Sequence, residues 1–344
     1  MSETTVSARP RRGRVSSRAW GVASGLAAAA TPLILLTILV VLAIFAWRSV
    51  VWNGLGFFTS TKWNLGNLYG GSLVVRHGIA APQGAEYGML VFVTGTLLSS
   101  AIAIVLAVPV GIGVAVALTS FSPRGLATVV SFFVELLAGV PSVVFGLWGF
   151  TVLVPWIGAT VGPGMSKVLG FIPFFGGQAQ TGLGLLASGI VLAVMIVPII
   201  TAVSRDALAK VPRELLEQGR ALGLTEWEIV RDLSLPVARP AVIGAVILGL
   251  GRALGETMAV LMVSGSAVNS LPHNLYSPIS TMASTIAAQL DSAMTDATGM
   301  AVHALAELAV VLFLITVLVN LLVKRIVRTL EQSPVLLWAE RETE

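Results

Sequence analysis

The chain has 344 residues, of which 56% are hydrophobic and 11% charged, with a formal net charge of +4 and no cysteine. Ordinary soluble domains carry about 25% charged residues, so this composition excludes a soluble globule and describes helices packed in lipid. The lack of cysteine excludes a disulfide framework, a thiolate nucleophile and a cysteine-based metal site.

Residues 1–20 are polar and carry Arg9, Arg11, Arg12, Arg14 and Arg18, which reads as a basic tail on the cytoplasmic side. The apolar run that follows, about 26–47, is too long for a signal-peptide core and long enough to cross a bilayer. Residues 48–87 form a mixed loop, and a second span is expected at about 87–118, kinked or divided at Pro109. The turn Phe121-Ser122-Pro123-Arg124-Gly125 leads to a third span at about 126–154, with Glu135 inside it, followed by a Gly/Pro-rich loop over 157–181. A fourth span occupies about 183–203, a polar hairpin 205–236, a fifth span 237–264 and a sixth 301–323, with a tail at 331–344. Placing the N-terminal tail inside puts the Pro123–Arg124 turn, the hairpin and the C-terminal tail inside as well, and leaves the outer loops poor in cations. The expected fold class is therefore an all-α polytopic membrane protein with six spans and both termini cytoplasmic. No internal repeat supports an inverted-repeat secondary transporter.

The basic residues stand between apolar runs, without the aromatic-interleaved patch that marks a nucleic-acid surface. No G-x-x-x-x-G-K-[ST] occurs, so no ATP hydrolysis through a P-loop is expected of this chain, and no cofactor is expected to bind it. Any nucleotide motor, with its ATP and magnesium, is another polypeptide.

The hairpin has its own local logic. Pro212 suits a first helical turn, and Leu215, Leu216, Ala221 and Leu222 alternate with charged residues in an amphipathic pattern. Gly223 suits a left-handed turn. Thr225 and Glu228 have capping-box spacing for a second helix, which Pro236 is expected to end. By themselves these residues fit either a solvated helical loop or a unit pushed by a soluble partner. Glu217-Gln218-Gly219, Gly223, Leu233 and Leu235-Pro236 resemble the EAA loop of ABC importer permeases, written E-A-A-x3-G-x9-I-x-L-P. Gln218, Gly219 and Leu233 depart from it, and Gly219 should loosen the first helix by up to about 1 kcal/mol relative to alanine. The resemblance implies that Glu217, Gly223, Leu235 and Pro236 belong to the coupling helix that docks on an ATPase subunit.

Arg252 and Glu256 lie four apart inside the fifth span, so a continuous helix would place them on one face. They read either as a self-neutralising pair packed against another span or as a pathway site whose guanidinium receives an oxyanion in bidentate fashion. The run Gly251-Arg252-Ala253-Leu254-Gly255-Glu256-Thr257 resembles the signature of phosphate ABC importer permeases of the PstC type. Ala138-Gly139-Val140-Pro141-Ser142-Val143-Val144-Phe145-Gly146 in span 3 and Ala107-Val108-Pro109-Val110-Gly111 in span 2 agree with it. The resemblance covers about residues 85–325. It implies the type I ABC importer permease fold in the cell membrane, Arg252 and Glu256 in phosphate passage, and three kinds of partner. These are a PstA-type permease, a dimer of PstB-type ATPases and an extracytoplasmic PstS-type phosphate-binding protein.

Pro141 and Ser142, with Gly146, are expected to kink span 3 and free backbone groups toward the pathway. Glu135 and Glu307 are possible charge partners of Arg252, each favoured here as a structural pair rather than a ligand for phosphate. His303 reads as a satisfied polar contact, not a metal ligand. Rival readings are the same machine carrying sulfate or molybdate, an ATP-independent channel or secondary transporter, and a membrane scaffold.

Overall fold

The computed structural model describes residues 13–177 and 181–331. Its backbone is mostly helical, and six helical stretches are long and apolar enough to cross a membrane: Trp20–Asn53, Leu90–Phe121, Ser142–Leu169, Leu185–Ala209, Glu226–Gly255 and Met300–Arg325. The basic residues 13–20 are already helical within α1 (Gly13–Asn53), and residues 1–12 of the expected tail lie outside the described residues. At the other end, Lys324, Arg325 and Arg328 belong to the last helix, and residues 332–344 are outside the described part.

α1 is peripheral, with the centre of its apolar run entirely unburied, and it docks on the rest of the chain by its last two turns. After it come a short helix α2 (Gly56–Thr59) and four strands, β1 (Trp63–Asn64), β2 (Leu73–Arg76), β3 (Ile79–Pro82) and β4 (Glu86–Tyr87). The expected mixed loop is thus a small folded layer. β2 and β3 pair antiparallel with Arg76 opposite Ile79, across a two-residue turn in which His77 and Gly78 both have positive φ. β1 pairs with β4, and Trp63 packs edge-on to Tyr87 and Phe92 while its indole donates to Gln289. Burial, and to a lesser degree Asp296 nearby, push the Tyr87 phenol well above the usual tyrosine range.

α3 (Leu90–Val116) runs through Pro109 as one helix and widens into a π turn at Ala117–Phe121. The expected third span is not where the hydropathy placed it. α4 (Arg124–Ala138) is a separate amphipathic helix with no buried residue, and the chain breaks at Gly139-Val140-Pro141. Pro141 has no amide hydrogen for the preceding turn and forces Val140 out of helical geometry, so the helix cannot pass through. The spanning segment instead starts at Ser142 and runs through α5 (Ser142–Trp148), α6 (Val154–Trp156) and α7 (Gly162–Leu169), joined by π turns. Much of the expected 157–181 loop is therefore helical.

α8 (Leu185–Ala209) is the most buried span and forms the centre of the bundle against α3. Small residues let the two helices approach: a Cβ on Gly111 would stand 2.8 Å from Ile200 Cγ2. The hydroxyl of Thr201 donates across the interface to the Gly111 carbonyl at 3.2 Å.

The hairpin consists of α9 (Arg213–Ala221) and α10 (Glu226–Glu228). α10 continues through a π turn, Ile229–Ser234, into α11 (Leu235–Gly255). Pro236 does not end the second helix. It falls in the first turn of α11, where the wide turn just before it accommodates a residue lacking an amide hydrogen. α12 (Met258–Val263), α13 (Met282–Met294, with Thr281 and Ser284 as a capping pair) and α14 (Met300–Glu331) complete the chain.

Candidate functional site

Two features meet in the membrane body. α11 stops at Gly255, and Glu256 is extended with φ −70° and ψ 129° before α12 begins. The i,i+4 geometry expected for Arg252 and Glu256 therefore does not exist, and the self-neutralising pair is ruled out in this conformation. Among the described residues neither side chain makes an ion pair. A Glu256 carboxylate oxygen instead accepts from the Ala259 amide at 3.3 Å, satisfying one of the orphan donors at the start of α12. Arg252 is exposed on the last turn of α11.

α12 packs against α5, so the two helix breaks, 139–141 and 255–257, are brought to adjacent positions. Phe145, Ala259 and Val263 share one buried cluster, with Val140 and Met262 against it. Gly146 is the close-approach point: a Cβ there would stand 2.9 Å from the Ala259 Cα and 2.8 Å from Met262 Sδ. It serves helix packing rather than the kink expected of it, and the break belongs to Pro141. Ser142 starts α5 on the far side of that break. Discontinuous helices with freed backbone groups are the usual lining of a solute path at membrane depth. Here an unpaired guanidinium stands beside them.

The expected charge partners of Arg252 lie elsewhere. Glu135 is on α4, outside the span, and accepts from Arg205 Nη2 at 2.9 Å. Glu307 is buried in α14 against α1, where Asn53 Nδ2 donates to it at 3.3 Å and also to Ser49 Oγ at 2.9 Å. One turn away, His303 Nδ1 donates to the Phe45 carbonyl at 2.7 Å and lies 3.3 Å from Arg48 Nη1, the polar contact expected for it. These bonds pin α1 to α14.

The hairpin has the expected turn and cap. Gly223 has φ +84°, a left-handed value that a side chain strains. Thr225 and Glu228 form a capping box in both directions. Sequence reading missed the cross-brace. Arg220 donates to both oxygens of Glu226, at 2.8 and 3.1 Å, which fixes the two helices across the glycine and raises the Arg220 pKa. Gly219 is also explained. Its missing Cβ would lie 2.7 Å from Leu233 Cδ1, so two of the departures from the EAA pattern touch each other, and the glycine makes room for the leucine. Leu235 packs with Val116, Leu208, Val211, Val230 and Val242, tying the hairpin to α3, α8 and α11. Glu217 is exposed and makes none of these internal contacts, while Leu222 and Trp227 are 82% and 58% exposed. Glu217, Leu222 and Trp227 are thus open to a partner.

Comparison with known proteins settles the family. A model described as "Binding-protein-dependent transport system inner membrane component" matches residues 107–334. The chain belongs to this family, in its PstC-type branch. Over 262 residues, 75% of this chain, it is 48% identical to Phosphate transport system permease protein PstC 1 of Mycobacterium tuberculosis, covering 77% of that protein. Over 283 residues it is 36% identical to the PstC of Haemophilus influenzae, covering 81% of this chain and 82% of that one. A chain of a bacterial alginate ABC transporter, solved with its alginate-bound periplasmic protein, superposes with a TM-score of 0.58 at 14% identity over 94% of this chain and 99% of that one. That likeness establishes the fold, a type I ABC importer permease. This permease component is thus a multi-pass protein of the cytoplasmic membrane and the transport part of its system, not the ATPase. Among the described residues no group of three His, Cys, Asp or Glu side chains is placed to hold a metal ion.

Proposed function

We propose that this chain is the PstC-type half of an inorganic phosphate importer, with Arg252 as the residue that receives phosphate in the membrane. The observation that carries the substrate site is an exposed, unpaired guanidinium at the end of a broken helix, beside a second broken helix. A charge inside a span is costly unless it faces water or a partner. An arginine with its donor fork free is matched to a phosphate oxyanion. Glu256 acts one step back, by capping α12 and so holding the break open next to Arg252.

A PstA-type permease completes the pathway on the open side of Arg252, and a PstS-type binding protein delivers phosphate at the end opposite the hairpin. A dimer of PstB-type ATPases, which binds the ATP and magnesium, docks on the hairpin around Glu217, Leu222 and Trp227. Both termini and the hairpin face the cytoplasm on this reading, in keeping with the cation-poor loops at the opposite end.

The test is ATP-driven uptake of labelled phosphate into proteoliposomes holding this chain with those three partners, compared with Arg252→Gln and Glu217→Lys. Both variants are expected to lose uptake, and only Glu217→Lys to lose ATPase docking. Full uptake with Arg252→Gln would remove that residue from the pathway. Uptake of sulfate or molybdate in place of phosphate would keep the machine and change the substrate.

A further inference from the structure

α4 is tethered in an unusual way. None of its residues is buried, and Leu126, Val129, Phe132, Phe133 and Leu136 are all more than half exposed. Between α4 and the hairpin lies a cavity of about 640 Å³, lined among others by Ser131, Phe132, Arg213, Leu216 and Ser234. Among the described residues, α4 makes a single side-chain hydrogen bond to another element, from Arg205 Nη2 to Glu135 at 2.9 Å. The Arg205 side chain is only 20% exposed and is held from its own helix by Asp206, which accepts from Nε at 3.1 Å and from Nη2 at 2.7 Å. The guanidinium is therefore pre-oriented by one carboxylate and offered to the other.

The positions at its two ends give this bond a meaning. Arg205 stands one turn before the end of α8, where Leu208 and Val211 pack with Val230 of the hairpin. Glu135 stands one turn before the Gly139–Pro141 break, beyond which α5 packs on α12 beside the end of α11. We propose that the Arg205–Glu135 ion pair is a coupling strut, a positioning pair that carries motion of the hairpin through α4 to the α5–α12 contact. The argument rests on the importer reading given above. A helix packed on α8, bonded to it at one charged point and facing a void toward the hairpin, moves with α8 as a unit when the bond is pulled. Without the bond, hairpin motion dissipates into the cavity. Glu135→Ala suits a test because it removes the acceptor while Asp206 keeps Arg205 paired, so the fold does not inherit a bare buried charge.

The experiment uses the full complex with its ATPase, second permease and binding protein, and reads ATP hydrolysis and labelled phosphate uptake together. Because the chain has no cysteine, Val143→Cys adds a reporter on α5 whose maleimide labelling rate follows α5 motion whatever the solute is. Glu135→Ala is expected to keep ATP hydrolysis while phosphate moved per ATP falls about threefold, the scale of a partly exposed ion pair. It should also abolish the ATP-dependent change in Val143→Cys labelling seen in the parent. Glu135→Gln, whose amide keeps an oxygen for Arg205 to donate to, should retain most of the ratio that Glu135→Ala destroys. The strut is overturned if Glu135→Ala leaves the ratio and the labelling response unchanged, if Glu135→Gln fares as badly as Glu135→Ala, or if α5 labelling never responds to ATP. Absence of phosphate uptake alongside an ATP-driven labelling response that Glu135→Ala abolishes would instead refute the phosphate reading and leave the strut standing.

Discussion

Gly146→Ala is the sharpest single perturbation of the path between the two helix breaks. The added methyl would stand 2.9 Å from the Ala259 Cα and 2.8 Å from Met262 Sδ. Met262 can rotate its thioether away, but a backbone carbon cannot, so α12 must retreat from α5 by several tenths of an ångström to restore ordinary contact. Overpacking of this kind costs about 1–3 kcal/mol. Alanine recovers up to about 1 kcal/mol in helix propensity, which leaves a net loss of up to about 2 kcal/mol. The matched control is Gly113→Ala on α3, where a Cβ meets nothing within 4 Å and only the propensity gain remains. Thermal unfolding of the purified complex and phosphate uptake are the two readouts. Gly146→Ala should melt below the parent and transport poorly, since the displaced α12 carries the cap that Glu256 supplies. Gly113→Ala should melt at or above the parent with normal uptake. If the two variants melt together, α5 and α12 do not cross at Gly146 and the adjacency of the two breaks is refuted.

Other consequences are equally direct. Gly223→Ala forces a side chain into a left-handed conformation, φ +84°, at about 1–2 kcal/mol. ATPase affinity should fall while phosphate binding to the binding protein is unchanged, and an unaltered pull-down of the ATPase would count against the rigid hairpin. Gly219→Ala and Leu233→Ile should be non-additive by about 0.5–3 kcal/mol in a thermal-stability cycle, because the two positions touch; additivity within a few tenths would refute the compensation. Glu307→Gln should be nearly neutral, because the amide keeps an oxygen for Asn53 to bond. Glu307→Ala should lose about 1 kcal/mol of stability by leaving one N–H of the half-buried Asn53 amide without its acceptor, and equal melting of the two variants would show that this bond does not hold α1.

Much of the fold is legible in the chain because much of it is local. Six apolar runs, the glycine turn at Gly223, the Thr225–Glu228 cap and the EAA spacing are short-range patterns that a few neighbouring residues impose. Pro141 is legible as a disturbance but not as a boundary. Hydropathy averages over α4 and α5 alike, and an amphipathic helix rich in large apolar residues resembles the first half of a span. For the same reason Pro236 reads as a stop, although a π turn just upstream lets a helix carry it.

Composition and periodicity determined that this chain crosses a membrane several times, carries a polar hairpin and keeps an arginine in its fifth span. Tertiary structure decided which groups meet. Arg205 and Glu135 are seventy residues apart with nothing in their spacing to link them, and only the packing of α4 beside α8 brings them to 2.9 Å. Arg252 and Glu256 have the spacing of a helical pair, yet they are separated because α11 ends between them and α12 docks on α5. The physical reason is one of range. Propensity and hydropathy act over a turn or two of chain, whereas the partner of a charge is chosen by whichever distant helix fills the adjacent space.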